Sequence, residues 1–96
     1  MYNNIDLNLI KKSIIKLDDM DLEERKQYRE ILKDTIKTDI EKSCDIYVKE
    51  VKLLRDHDGF IVYDINDNYI KITFYSNYCH IAYNGKFHIN IKLEDN

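Results

Sequence analysis

Up to residue 58 the apolar positions of this chain recur three or four apart, and from Gly59 onward they alternate. Leu7, Ile10, Ile14 and Leu17 form one stripe, and Tyr28, Ile31, Leu32, Ile36 and Ile40 form a second, the spacing of two amphipathic helices. Beyond Gly59, Ile61, Tyr63 and Ile65, then Ile70, Ile72 and Phe74, then Phe87, Ile89, Ile91 and Leu93 fall two apart, as in half-buried strands.

Local chemistry marks the borders. Asn4 or Asp6 can cap a first helix that runs to about Leu17. The acidic run Asp18-Asp19-Met20-Asp21 ends it, and Asp21 with Glu24 has the spacing of a capping box for the second helix. The stretch Cys44–Arg55 fits either period. A helix carried on from Leu22 to Leu54 would be about 50 Å long, and Ile46-Tyr47-Val48 favours a strand. A strand is therefore expected here, closed by a three-residue loop His57-Asp58-Gly59 with the glycine left-handed.

Residues paired across a hairpin share a sheet face, so the later turns can be tested by the pairs they create. A two-residue loop at Asp67-Asn68 pairs Ile65 with Ile70, Tyr63 with Ile72 and Ile61 with Phe74. One at Ser76-Asn77 pairs Phe74 with Cys79 and Ile72 with Ile81. At Asn84-Gly85 the two-residue form would mix the faces, whereas a three-residue loop Asn84-Gly85-Lys86 joins Tyr83 with Phe87, Ile81 with Ile89 and Cys79 with Ile91. The fold class follows: α+β, with two N-terminal helices packed on one face of a four- or five-stranded antiparallel meander. Residues 1–96 read as a single domain, about 4–43 helical and about 45–93 mainly sheet.

This register assigns Ile61, Tyr63, Ile65, Ile70, Ile72, Phe74, Cys79, Ile81, Tyr83, Phe87, Ile89 and Ile91 to the face beneath the helices. The outer face then carries Phe60, Val62, Asp64, Tyr69, Lys71, Thr73, Tyr75, Tyr78, His80, His88, Asn90 and Lys92. From Asn68 to Leu93 there is no acidic residue, so the outer face is mildly basic and aromatic although the formal net charge is −3. That overall balance argues against a general DNA binder.

Other classes are excluded on chemistry. Cys44 and Cys79 lack metal or disulfide-framework spacing and are expected as free thiols, with a Cys44–Cys79 disulfide as the alternative. No phosphate-binding glycine loop, zinc spacing or calcium loop is present, so neither cofactor nor metal is expected. Cys79 and His80 are neighbours in a strand, point to opposite faces and cannot form a nucleophile–base pair. His80 and His88 share the outer face, where with Lys71 or Tyr78 they could support acid–base chemistry, but an enzyme is not the expectation. Without a signal-peptide pattern or an apolar run of membrane length, the expected setting is cytoplasmic with no membrane partner.

The expected function is binding to another protein, with Phe60, Val62, Tyr69, Lys71, Tyr75, Tyr78, His80 and His88 as the docking residues. Small size and a composition rich in residues with AT-rich codons suggest a phage or mobile-element product: an inhibitor of a host defence nuclease, of the anti-CRISPR kind, or a toxin-immunity protein. The partner could itself handle nucleic acid. The alternative is a single-stranded RNA or DNA binder that stacks bases on the tyrosines and holds phosphates with lysines. The protein is expected as a monomer or as a homodimer through an edge strand such as Phe87–Leu93.

Overall fold

The computed structural model describes residues 6–93. Helix α1 spans Leu7–Lys16, and the Asp6 carboxylate caps it by accepting the Leu9 amide at 3.0 Å. The other cap candidate, Asn4, lies outside the described residues. A 3₁₀ turn, Leu17–Asp19, forms at the acidic break. Helix α2 then runs over Leu22–Cys44, capped by the Asp21 carboxylate on the Glu24 amide. Arg25 ties the two helices together by donating to the carbonyls of Leu17 and Met20. Leu32, Ile36 and Ile40 form the buried stripe of α2, with Tyr28 half-buried; Ile31, assigned to the same side, points to solvent. Asp45, left-handed at φ 52°, turns the chain out of α2.

Five strands follow: β1 (Val48–Leu53), β2 (Gly59–Asp64), β3 (Tyr69–Phe74), β4 (Tyr78–Tyr83) and β5 (Phe87–Lys92). They form one antiparallel sheet in the order β1-β2-β3-β4-β5, with both helices preceding it in sequence. The ambiguous stretch Cys44–Arg55 thus divides: its first residue closes α2 and most of the remainder is strand. A bulge at Lys49 lets Val48 and Val51, three apart, face the same core.

Two turns take the expected form. Tyr75 and Tyr78 bracket a two-residue turn, and Asn84-Gly85-Lys86 makes a three-residue loop that places Tyr83 opposite Phe87 and Ile81 opposite Ile89. Asn84 and Gly85 supply its left-handed backbone, at φ 53° and 69°.

The two hairpins flanking β2 differ from expectation. The first loop covers residues 55–58, and Gly59 is the first residue of β2 rather than part of the turn. A Cβ at Gly59 would collide with the Ile72 carbonyl of β3, so glycine is needed there for close strand approach. The second loop has three residues, Ile65-Asn66-Asp67, so Tyr63 lies opposite Tyr69, Val62 opposite Ile70 and Phe60 opposite Ile72. An odd shift from the expected pairing exchanges the faces of β2. Phe60 and Val62 are at 0% and 1% exposure in the core, Ile61 and Tyr63 lie on the outer face, and Ile65 is in the turn. The cause is Asp64: one oxygen of its carboxylate accepts the amides of Asn66 and Asn68, and Asp67 at φ 64° completes the turn.

Candidate functional site: an apolar groove beside a bare strand edge

The helices cover the inner face of the sheet unevenly. Along the β1 margin, α2 joins Leu32, Ile36 and Ile40 to a core that includes Val51, Phe60 and Ile72. Helix α1 reaches the end of the sheet that carries the β3–β4 turn, where Lys11 Nζ donates to the carbonyls of Tyr75 and Ser76, each at 2.7 Å. With ten residues α1 is about 15 Å long, shorter than the roughly 20 Å of a six-residue strand. At the opposite end, among the described residues, no helix lies over the inner face of β3, β4 and β5.

A groove of about 440 Å³ lies there. Val62, Ile70 and Ile81 form its floor; Cys44 and Ile46 form one wall, and Tyr83, Phe87 and Ile89 form the wall toward β5. Phe87 is 70% exposed and Ile89 48% exposed, large values for residues on the core face of a sheet. Ile65, in the turn near the groove's Asp64 and Asn68, is 62% exposed. Together these residues make an apolar surface larger than scattered single side chains. Tyr83, Phe87 and Ile89 were expected beneath the helices; the correction is that α1 is too short to reach them.

The polar end of the groove is fixed by a latch between two turns. Asn84 Nδ2 donates to Asn68 Oδ1 at 2.9 Å, Asn84 Oδ1 accepts the Tyr69 amide at 2.7 Å, and Asp64 holds Asn68. The latch joins the β2–β3 and β4–β5 hairpins. Burial pushes the Cys44 and Cys79 thiols up from their ordinary value; at Cys79 the Ile91 backbone and the Lys11 charge pull partly back. Both cysteines are unbonded, and their raised values keep them poor nucleophiles.

The outer face keeps six of the eight docking residues expected from sequence: Tyr69, Lys71, Tyr75, Tyr78, His80 and His88. Phe60 and Val62 leave the set, and with them goes the contiguous patch they would have formed with Tyr75 and Tyr78. The tyrosines that remain engage one another. Tyr75 and Tyr78 stack with centroids 4.8 Å apart, and Tyr63 and Tyr69 meet at 6.0 Å. His80 and His88 are brought together, with Nε2 of the first 2.9 Å from Nδ1 of the second.

Sequence reasoning missed the groove because it placed Phe87 and Ile89 correctly on the inner face and then assumed that this face was covered throughout. The available signal was the length of the first helical stripe, too short to span the sheet. Among the described residues no group of three or more His, Cys, Asp or Glu gathers as a metal site, and no helix is long and apolar enough to cross a membrane. Comparison with protein families, with curated proteins and with solved structures finds no match to this chain.

Proposed function

We propose that this protein works by binding another protein, taking an extended apolar segment of its partner as a sixth strand beside β5. The observation that supports this reading is the continuity of the groove with an unpaired strand edge. The Leu93 amide bonds to Asn77, and the bonded pairs of an antiparallel ladder alternate. The backbone groups of His88, Asn90 and Lys92 therefore point away from β4. A strand laid along them satisfies those groups and sets every second side chain beside Phe87 and Ile89, at the mouth of the groove. Its apolar residues would recur two apart. Composition keeps a host defence nuclease or a toxin as the partner class, and the groove adds no preference between them.

Selection of extended peptides from a displayed library, followed by amide exchange on the complex, tests the proposal. Selected peptides should be apolar at alternate positions and should protect the His88, Asn90 and Lys92 amides. Ile89→Lys should weaken binding at least tenfold with an unchanged melting curve, while a Tyr75→Ala/Tyr78→Ala double variant should bind normally. Binding lost in the tyrosine variant and kept in Ile89→Lys would return the interface to the outer face. A free protein that sediments as a dimer with those three amides protected would make a second copy the occupant.

The nucleic-acid reading has less support, because the rings that would stack on bases already pair with each other and Lys52 sits 5.6 Å from the centre of the Tyr63 ring. It requires an affinity for single strands that falls steeply as salt rises.

A further inference from the structure

Docking on the inner face leaves unused the histidine pair on the outer face. His80 lies on β4 and His88 on β5, diagonal neighbours because His80 pairs with Asn90 and His88 with Ala82. Nε2 of His80 and Nδ1 of His88 are 2.9 Å apart. The other two ring nitrogens each meet an oxygen: His80 Nδ1 is 2.8 Å from Asn90 Oδ1, and His88 Nε2 is 3.3 Å from the Gly85 carbonyl. A carbonyl oxygen only accepts, so in the tautomers that satisfy both contacts the outer nitrogens carry the ring hydrogens. In neutral imidazoles the two facing nitrogens then both present lone pairs. Repulsion between lone pairs at that separation is relieved by a cation shared between them, or by the tautomer in which His88 Nδ1 donates to His80 Nε2 and the longer Gly85 contact goes unmade.

We propose that His80 and His88 form a two-histidine site for a divalent transition metal of the zinc, nickel or copper class. An imidazole whose far N–H is held by a carbonyl while its near nitrogen is free is the arrangement in which metal-ligating histidines are found. Imidazole nitrogen suits these metals, whereas magnesium and calcium require oxygen ligands. With metal–nitrogen bonds of about 2.0–2.1 Å, two nitrogens stand about 2.9 Å apart across a right angle and about 3.3 Å apart across a tetrahedral one. The pair already spans the first distance. The rings now face each other head-on, and each must swing by roughly 45° for the lone pairs to converge on a common point in a right-angle site. His88 is exposed and His80 half-buried, so the remaining coordination positions open outward to water or to a group from another molecule.

Titration of the full chain with zinc chloride and with nickel chloride, by calorimetry and by chemical-shift mapping, tests the site. One ion per chain should bind saturably, with the largest shifts at His80 and His88. His80→Ala and His88→Ala should each weaken binding at least tenfold while the melting curve stays in place. Asn90→Ala keeps both ligands and should weaken it about tenfold by releasing the His80 ring. His57→Ala should change nothing. Absence of saturable binding by the wild-type chain overturns the proposal. Binding that survives in the His80→Ala/His88→Ala double variant, or that is lost in His57→Ala, overturns it as well.

Discussion

The two edges of the sheet are built to opposite specifications. At β1 the edge is interrupted by the bulge at Lys49, carries Lys49, Glu50 and Lys52 toward solvent, and lies under α2. The Glu41 carboxylate of α2 also accepts the Val48 amide at 3.0 Å. Each of these devices discourages another strand from adding. At β5 the exposed Lys92 is the one such device. The strand's six residues pair with β4 without a bulge, no helix among the described residues lies alongside, and its apolar side chains Phe87 and Ile89 stand open. One edge is thus defended and the other open, and the proposed pairing at β5 rests on that asymmetry.

The largest expected effect contrasts two phenylalanines. Phe60→Ala, beside β1, should cost about 3–5 kcal/mol or abolish folding, whereas Phe87→Ala on β5 should stay within about 0.5 kcal/mol of wild type in urea unfolding. Equal losses would mean that the groove is ordinary core and would break the comparison. Next comes Glu41→Ala, which takes a charged acceptor from the Val48 amide and should cost about 1.5–3 kcal/mol. The same variant should self-associate more readily by sedimentation; if it stays monomeric and as stable as wild type, the β1 edge is not defended by α2. Smaller still is the response to alkali. The folded state keeps the Cys79 thiol protonated above its ordinary value of 9.0, while the unfolded chain ionises there. Stability should therefore fall as pH rises past about 9, and the fall should be shallower in Cys79→Ala, as read by urea titrations at several pH values. An identical slope in that variant would remove burial of Cys79 as the cause.

The elements themselves were legible because their periods are long and clean. Leu7, Ile10, Ile14 and Leu17 are all buried, and the mixed faces that a two-residue turn at Asn84-Gly85 would create were enough to reject it. The register of β2 was not legible. Phe60-Ile61-Val62-Tyr63 is apolar at four consecutive positions, so alternation cannot choose its buried face. The choice falls to the Asp64 side chain, whose bonds to Asn66 and Asn68 set the turn length. The candidate groove was hidden for a different reason: whether an inner-face residue such as Phe87 is covered depends on how far a helix reaches in space. A pattern along the chain records which face a residue is on and carries no information about what lies above it.

The Asn84–Asn68 latch also governs how the molecule ages. Asn84-Gly85 is the dipeptide most prone to spontaneous deamidation, because the glycine amide readily attacks the preceding side-chain carbonyl. In the folded state that side chain is held at both ends, its oxygen on the Tyr69 amide and its nitrogen on Asn68. Attack requires it to let go. Once deamidated, the new carboxylate still accepts the Tyr69 amide but has no hydrogen to offer Asn68, so the tie between the two hairpins is weakened. The wall of the groove that β5 provides then lasts, in chemical terms, only as long as the protein remains folded.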